Sequence, residues 1–550
     1  MDASSPAVKK LIRALTVKIK ESTAILSAQA IGNGLYGLHN MDADSLAVRE
    51  LLIALTAKIR ASKEIFSGQA IGNALYGLQH MDAKSDEVQK LLNALTIKIK
   101  ESTAILSAQN IGNALYGLQA MDASSPAVQR LLNALTDKID ESTAILSTQA
   151  IGNGLYGLHN MDADSPAVQR LLRALTAKID HPKARLDNQT IGSALYGLQN
   201  MDAGSFAVQR LLRALTVKID KSEAILSAHK IGMALYGLQN MDASSPAVQG
   251  LLCALTVKID KSEAILSAQH IGNALYGLQN MDASSPGMQG LLRALAAKIR
   301  ASKHMLDSQA VGNALYGLHN MDAGLISEML ALIDSKRPEV ISFESNPMAW
   351  SQAVASYLAI ASKTNKPVLT RERMHCFFPN INNSNGVVPT AKVTDLFIQQ
   401  LTNKHYKNQT LDLHDLDHLS AQTLLNEGFK QSGTPKPETI IFGAGNHSKA
   451  AHKKSMKSLV KDFVKKHGIT AKWRRGSVVL NWKQGLVEQN KASEMALKYH
   501  GFRRQPQSGN KASEMALKKA SKFSFYAQKI YRRGDLNSDA KPFQQRTDRF

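Results

Sequence analysis

Apolar and polar positions recur along the first 320 residues with a strict period of 40 residues. The tripeptide Met-Asp-Ala opens every unit, at Met1, Met41, Met81, Met121, Met161, Met201, Met241 and Met281. A ninth unit opens at Met321 and then loses the pattern. A fixed period of this length is typical of stacked supersecondary units. The sequence therefore predicts an all-α solenoid of eight helical hairpins over residues 1–320. Below, a repeat position is the number of the equivalent residue in the first unit.

Each unit divides into two predicted helices. In the first unit we expect Ser5 to be an N-cap and Pro6 to be the first helical residue, where its missing N–H costs nothing. An apolar stripe at helical spacing follows, formed by Val8, Leu11, Ile12, Leu15 and Ile19. After a turn, Ser27 caps the second helix, and Asp187 and Asp307 take its place in later units. The second helix carries a second apolar face, made of Ile31, Leu35 and Leu38.

Two glycines recur in the second helix of every unit, at repeat positions 32 and 37. Glycine in a helix costs roughly 1 kcal/mol relative to alanine. Their recurrence predicts that the backbone comes close to another helix or to a ligand at these points.

The exposed side of the second helix is where the units differ. At about 100° of rotation per residue, Gln29, Asn33 and Tyr36 lie opposite the apolar face, and position 30 lies on its flank. The framework barely changes from unit to unit, whereas positions 30 and 33 vary, as does position 13 on the first helix. A constant scaffold with a few changing polar positions is what modular base recognition needs.

These positions give a candidate RNA-binding set, with one unit meeting one base: Asn33, Asn73, Asn110, Asn113, Asn153, Thr190, Ser193, Lys230, Met233, His270, Asn273 and Asn313. The alternative is that the positions drift freely on a tolerant surface after duplication. The tyrosine at position 36 is suited to stacking on bases, but an aromatic residue present in every unit favours packing between repeats.

The pattern changes after residue 320. Two helices, Ala323 to Ser335 and Met348 to Ser362, are predicted to cap the array over residues 321–365. A connector spans residues 366–408. Its Pro- and Asn-rich part, up to Thr390, reads as a strand plus a loop, and a helix follows from Ala391 to Asn403.

Residues 409–483 are predicted to form a small α/β sandwich. Strands are expected at residues 410–414, 439–442, 471–474 and 477–482, with helices between them. The chemistry gathers where two strands end. One runs into Asp412 and His414, and the other into the loop Gly443, Ala444, Gly445, Asn446, His447, Ser448.

A Gly-rich loop that opens a helix presents free N–H groups to a phosphate. We therefore expect Gly443, Gly445, Asn446, Ser448 and Lys449 to bind phosphate. Two histidines near one phosphate can act as base and acid, with a carboxylate that orients one of them. The candidate catalytic residues are Asp412, His414 and His447. The alternative is that Asp412 and His414 form a local capping pair and that His447 is an ordinary loop residue.

Charge points to an anionic polymer as the partner. The formal net charge is +22, with +5 in residues 1–320 and +17 in the rest. A basic half of this kind most often binds nucleic acid, and a basic surface kept for solubility is the alternative. Residues 484–550 read as a basic tail. With two cysteines and no apolar run long enough to span a membrane, we expect a cytoplasmic protein of a reducing compartment without a disulfide framework.

Two stretches resemble known families. The unit from Leu91 to Met121, "LLNALTIKIKESTAILSAQNIGNALYGLQAM", resembles the octotricopeptide repeat, a family of α-solenoids that bind RNA. "LDLHDL" and "IFGAGNHS", about 30 residues apart, resemble the two signatures of the Smr domain. That resemblance implies a nuclease acting on RNA or DNA, with Asp412, His414 and His447 in its motifs. Asp415 stands where the family usually has glycine, which implies weaker activity or a need for a divalent cation such as Mg²⁺.

Together these expectations describe a monomeric, sequence-selective single-stranded RNA-binding protein whose array positions a C-terminal Smr domain for endonucleolytic cleavage. Two rivals stay open. One is an RNA-binding protein that does not cut, and the other is a protein-interaction scaffold whose Smr domain acts on DNA. Nearly identical units fit either adaptive RNA targeting or a secreted scaffold of an intracellular bacterium.

Overall fold

The computed structural model describes residues 5–41, 43–282, 284–321, 323–364, 367–381, 386–429, 436–442, 456–474 and 476–482. Within them lie a helical repeat array and a small five-stranded sheet, so the predicted combination of a helical array with a C-terminal α/β region is confirmed at that level. None of the described helices is long and apolar enough to cross a membrane.

Each repeat contributes a long first helix and a short second helix. The first helices are α1 (Pro6–Glu21), α3 (Leu46–Ala61), α5 (Asp86–Glu101), α7 (Pro126–Glu141), α9 (Pro166–Asp180), α11 (Phe206–Lys221), α13 (Pro246–Lys261) and α15 (Pro286–Ala301). The second helices are α2 (Ala28–Tyr36), α4 (Gly68–Tyr76), α6 (Ala108–Tyr116), α8 (Thr148–Tyr156), α10 (Asn188–Tyr196), α12 (Ala228–Tyr236), α14 (Ala268–Tyr276) and α16 (Ser308–Leu318).

Local sequence signals set these helix ends. Ser5 is the N-cap of α1 and Pro6 its first residue, as predicted, although the serine side chain makes no capping bond. The Ser27 side chain accepts a hydrogen bond from the Ala30 N–H at the start of α2, and Asp187 and Asp307 do the same for α10 and α16. The predicted capping residues of the second helices are therefore confirmed. Gly37 is a C-cap and not an internal helix residue, which corrects its predicted position.

The array has two layers, because first helices pack on first helices and second helices on second helices of neighbouring repeats. The recurring glycines make the second layer unusually close. A Cβ atom built on Gly77 would lie 2.0 Å from the carbonyl oxygen of Leu35, and one on Gly32 would lie 3.0 Å from the Cα of Ala70. The prediction of close backbone approach is thus confirmed: position 37 approaches the second helix of the preceding repeat, and position 32 approaches that of the next repeat.

Side-chain hydrogen bonds to backbone carbonyls tie the turns of adjacent repeats together. Ser102 Oγ donates to the Phe66 carbonyl at 2.5 Å, and Ser142 Oγ donates to the Leu106 carbonyl at 2.6 Å. Lys218 Nζ donates to the His181 carbonyl at 2.7 Å. These donors recur at repeat positions 18 and 22, and the carbonyls that they satisfy belong to the turn between the two helices of the preceding repeat.

The last repeat is covered by α17 (Ala323–Asp334) and α18 (Pro347–Lys363), as predicted for a cap. α18 takes the place of a further second helix, because Ala349 packs on Gly312 as position 30 packs on position 32 elsewhere. The connector contains the short helix α19 (Arg371–His375) and one bridge between Thr370 and Val387. The strand predicted in this segment is therefore wrong among its described residues.

The sheet has the order β1-β2-β3-β5-β4. Its strands are β1 (Tyr406–Lys407), β2 (Thr410–Asp412), β3 (Thr439–Ile441), β4 (Thr470–Arg474) and β5 (Ser477–Asn481). The accompanying helices are α20 (Thr390–His405), α21 (His418–Glu427) and α22 (Met456–Lys466). Only β2 and β3 are parallel, with Asp412 in register with Ile441. β1 is an edge strand that the sequence did not predict, and α21 packs against α18 of the cap.

Candidate nucleic-acid interface

The exposed side of the second helices forms one continuous surface, which we call the second-helix face. It consists of repeat positions 29, 33 and 36. Position 29 is exposed in all eight repeats and is Gln everywhere except His229. Position 33 is partly buried in most repeats, and Asn73 Nδ2 donates to Asn33 Oδ1 at 3.2 Å across the first repeat boundary. Amide groups therefore run along this face from repeat to repeat.

The tyrosines at position 36 form a ladder along the same face. Successive rings from Tyr36 to Tyr316 have centroids 5.2–5.8 Å apart and interplanar angles of 16–19°. This geometry confirms that the tyrosine packs between repeats. Because the ring faces cover one another, only the ring edges and hydroxyl groups are left to a ligand. Burial raises the pKa of the Tyr196 and Tyr236 hydroxyls, so these groups stay protonated as donors.

Carboxylates are absent from the segments that build this face. Residues 28–40 and their seven counterparts contain no Asp or Glu. Acidic residues occur in the flanking segments, at the second-helix caps Asp187 and Asp307 and in the Met-Asp-Ala turns. A polyanion lying along positions 29, 33 and 36 would thus meet amides, hydroxyls and a few cationic groups.

Two of the residues at position 30 are more deeply buried than the sequence predicted. Thr190 is 1% exposed and Lys230 is 6% exposed, because each packs on the position-32 glycine of the preceding repeat. The side chains of these two residues are therefore buried between repeats and do not lie on the flank of an exposed surface, where the sequence predicted them. Asn110 and His270 occupy the same interface but keep part of their side chains exposed. The crossing of neighbouring helices determines this burial, and one helix considered alone does not reveal it.

Repeats 6 and 7 carry the largest departure from the regular pattern. Lys230 Nζ lies 3.4 Å from Met233 Sδ, and the His229 and His270 rings are 6.0 Å apart. Burial lowers the pKa of Lys230, with the charge of Asp187 opposing it. Burial also lowers the pKa of His270, and His229 lowers it further. This stretch of the face differs from its neighbours in both shape and charge.

The remaining members of the predicted RNA-binding set lie at position 33. Asn113, Asn153, Met233, Asn273 and Asn313 are partly buried on the second-helix face, and Ser193 is 9% exposed. The structure thus brings the position-33 residues onto one surface in register.

The candidate catalytic pair lies at the end of β2. His414 Nδ1 is 2.8 Å from Asp412 Oδ1, and the His414 backbone N–H donates to the same oxygen at 3.0 Å. About half of each side chain is exposed. Behind the pair, His405 Nδ1 lies 3.0 Å from the Asp412 carbonyl oxygen. Burial lowers the pKa of His405, and the charge of Lys404 lowers it further. Sequence reasoning did not identify His405, because it lies in the preceding helix.

The second half of the predicted phosphate site lies outside the described residues. This applies to Gly443, Gly445, Asn446, His447, Ser448 and Lys449. The parallel pairing of β2 and β3 brings the ends of both strands to one edge of the sheet, since Asp412 is opposite Ile441. Among the side chains that the structure describes, no group of three His, Cys, Asp or Glu residues is arranged to hold a metal ion.

Asp417, in the sheet region, lies close enough to the end of the array to influence a tyrosine there. Asp417 caps α21, where its Oδ1 accepts a hydrogen bond from the Ser420 N–H at 3.0 Å. Burial raises the pKa of Tyr316 well above its ordinary value, and the negative charge of Asp417 raises it further. Burial likewise raises the pKa of Asp417. The end of the tyrosine ladder therefore adjoins α21, and Asp417 is five residues after Asp412.

No protein-family model and no curated protein sequence matches this chain. Among solved structures, it is similar to a homology model of the full-length AP-3 complex in an intermediate open conformation (11% identity, TM-score 0.33, 77% of this chain and 65% of that one). It is also similar to the pentatricopeptide repeat protein PPR10 in complex with an 18-nt psaJ RNA element (12% identity, TM-score 0.21, 77% of this chain and 64% of that one). Both TM-scores are low, and the chain spans less than two-thirds of the length of either neighbour.

Proposed function

We propose that the array binds single-stranded RNA along the second-helix face with sequence preference, at about one base per repeat. The observation that carries this proposal is the composition of the face: exposed glutamines and partly buried asparagines in register, and no carboxylate in any of the eight segments. Amides hydrogen-bond to base edges, and the lack of acidic groups spares the phosphates from repulsion.

Selectivity would come from position 33 together with the exposed neighbour at position 29. Asn33, Asn73, Asn113, Asn153, Asn273 and Asn313 would read one kind of base edge, and Ser193 and Met233 would read others. Asn110 and His270 would contribute through the exposed part of their side chains. We leave Thr190 and Lys230 out of the contacting set, because they are buried between repeats.

We further propose that the sheet region is an Smr-type nuclease domain that cuts the bound RNA. Asp412 would orient His414, and His447 would provide the second imidazole. One imidazole would take the 2′-OH proton and the other would protonate the leaving 5′-oxygen. The amides of Gly443 and Gly445, with Asn446, Ser448 and Lys449, would stabilise the charge on the phosphorus centre.

A randomised single-stranded RNA pool tests binding and cleavage together. The full chain is incubated with the pool, with and without Mg²⁺, and both the retained and the cut molecules are sequenced. We expect a shared short motif and cuts at a fixed offset from it, with cleavage lost in His414→Ala and His447→Ala while the motif is retained. The absence of any enriched motif would contradict the binding proposal. Cuts that persist in both variants would contradict the catalytic assignment.

A non-cleaving RNA-binding protein is the second candidate. The observation in its favour is the bond from the His414 N–H to the Asp412 carboxylate, which is also how a local turn is capped. In that case the motif would be enriched without cuts. The same pool made of DNA addresses the remaining alternative, in which the sheet region acts on DNA and the array binds protein.

A further inference from the structure

The turn between the two helices of each repeat exposes a large apolar side chain, which the RNA-binding proposal does not use. Repeat position 25 is 41–66% exposed in the seven repeats where it is apolar: Ile25, Ile65, Ile105, Ile145, Ile225, Ile265 and Met305. In the remaining repeat, repeat 5, this position is Arg185, which is also exposed. We call this row the isoleucine ridge. Its members do not contribute to the core, so packing within the chain does not account for the repeated isoleucine.

Further exposed apolar groups and a cleft lie beside the ridge. Repeat position 17 adds exposed apolar groups next to the turns, at Val17, Ile97, Val217 and Val257. Between repeats 6 and 7 a cleft of about 470 Å³ is lined by Asp220, Lys221, Glu223, Ile225, Val257 and Lys261. A row of exposed apolar side chains, with a cleft beside two of them, is an exposed apolar surface of the kind that marks an interaction site.

We propose that the isoleucine ridge is the interface of an antiparallel homodimer, with its two-fold axis between repeats 4 and 5. Both copies then present the same spacing of apolar side chains, so the ridge of one matches the ridge of the other, as an isologous contact requires. The cleft between repeats 6 and 7 would face repeats 2 and 3 of the other copy, where Ile65 and Ile97 are exposed.

Charge along the ridge selects this register. Over repeat positions 20–25 the net charge from repeat 1 to repeat 8 is 0, +1, 0, −2, +1, −1, −1 and +2. An axis between repeats 4 and 5 pairs repeat 4 with 5, 3 with 6, 2 with 7 and 1 with 8, and no pair has like signs. Moving the axis by one repeat towards the N-terminus pairs repeats 2 and 5, which both carry +1. Moving it by one repeat towards the C-terminus pairs repeats 4 and 7, which carry −2 and −1. Like charges across an interface suppress the wrong arrangement.

Arg185 interrupts the row of apolar side chains next to the proposed two-fold axis, where it would make a specific contact. Arg185 of one copy would face repeat 4 of the other, where Asp140 and Glu141 are both exposed. Each dimer would contain this contact twice. The isoleucines would thus supply most of the buried apolar area, and the arginine would fix the register.

Sedimentation of the nucleic-acid-free full chain over a concentration series tests the proposal. We expect a reversible dimer. Its Kd should rise at least about tenfold when Ile65, Ile105, Ile225 and Ile265 are changed together to Ser. The control is Leu46→Pro with Phe206→Pro, which removes exposed apolar groups away from the ridge and restores the proline that other repeats have there. A wild-type chain that stays monomeric up to about 100 µM, or a ridge variant that associates like wild type, overturns the proposal.

A mixing experiment tests the register. Arg185→Glu and Glu141→Arg should each weaken self-association, because each homodimer then carries two like-charge contacts. Mixing the two differently labelled variants should restore the dimer, since both contacts in the mixed dimer join opposite charges. Contacts within one chain cannot produce this rescue. If both single variants weaken association and the mixture does not recover, the antiparallel register is overturned.

Discussion

A Cβ atom built on Gly117 would lie 1.9 Å from the carbonyl oxygen of Leu75 in the preceding repeat. The same relationship joins Gly77 to Leu35 and recurs along the array. The second helices can therefore pack at this distance only because position 37 has no side chain. The tyrosine ladder and the row of amides at position 33 both depend on this spacing.

Gly117→Ala should destabilise the array by about 1–3 kcal/mol or more, because backbone atoms of two repeats must separate. Gly34→Ala is the matched control, since nothing lies within 4 Å of the added atom and other repeats have alanine there. That change should stabilise the protein by roughly 0.5–1 kcal/mol. Urea denaturation followed by circular dichroism measures both. Equal effects of the two changes would show that position 37 does not set the spacing.

The free energy of unfolding should decrease as the pH falls below about 6.5, because His319 is buried. Burial lowers the pKa of His319 to about 4 from an ordinary value of 6.5, against a hydrogen bond to the Tyr316 carbonyl. The folded state therefore resists protonation, while the unfolded chain takes up the proton near pH 6.5. Stability is full above that value and is lost as pH falls from about 6.5 towards 4, by roughly 1–3 kcal/mol.

His319→Gln should flatten this loss, since glutamine occupies the same position in five other repeats. Denaturation midpoints measured between pH 4.5 and 7.5 provide the test. His159→Gln is the control, and it should leave the acid-side loss in place because His319 is retained. If the two variants had the same pH profile, His319 would not be the group that causes the acid-side loss of stability.

Much of the fold was predictable because its signals are local. Capping residues predicted the helix starts at Pro6 and Ser27. Periodicity predicted the capping helices, and short apolar runs predicted four of the five strands. The burial of Thr190 and Lys230 was not predictable, because it depends on how two helices of different repeats cross. The tyrosine ladder and the electrostatic influence of Asp417 on Tyr316 also arise only between elements. β1 has two residues, too few to leave a pattern in the sequence.

Ser142→Ala should weaken the interface between repeats 3 and 4. The change leaves the buried Leu106 carbonyl without its 2.6 Å donor, which costs about 1–3 kcal/mol. Ser125→Ala is the control, because Ser125 N-caps α7 without a side-chain capping bond and its buried hydroxyl has no hydrogen-bond partner among the described residues. Hydrogen exchange should show faster opening in repeats 3 and 4 for Ser142→Ala alone. Protection that drops evenly along the array would contradict a local role for this bond.

Base preference should respond to position 33 and not to buried position 30. Met233→Asn should shift the preference at one base of the bound motif towards that of the other asparagine repeats, and Lys230→Ala should leave the motif unchanged. Sequencing of RNA retained by each variant from the randomised pool measures this. If Lys230→Ala changes the preferred base while Met233→Asn does not, the assignment of the reading position is wrong.

RNA is proposed to lie on the acid-free second-helix face, and carboxylates introduced on that face would repel its phosphates. Gln109→Glu, Gln149→Glu and Gln269→Glu together add three negative charges at exposed position 29. Thr23→Glu, Thr103→Glu and Thr143→Glu add the same charge at position 23, where Glu223 and Glu263 already occur. RNA affinity of the full chain at fixed salt should fall at least about tenfold for the first set and less than about threefold for the second. An equal fall in both sets, or no fall in the first, would contradict the claim.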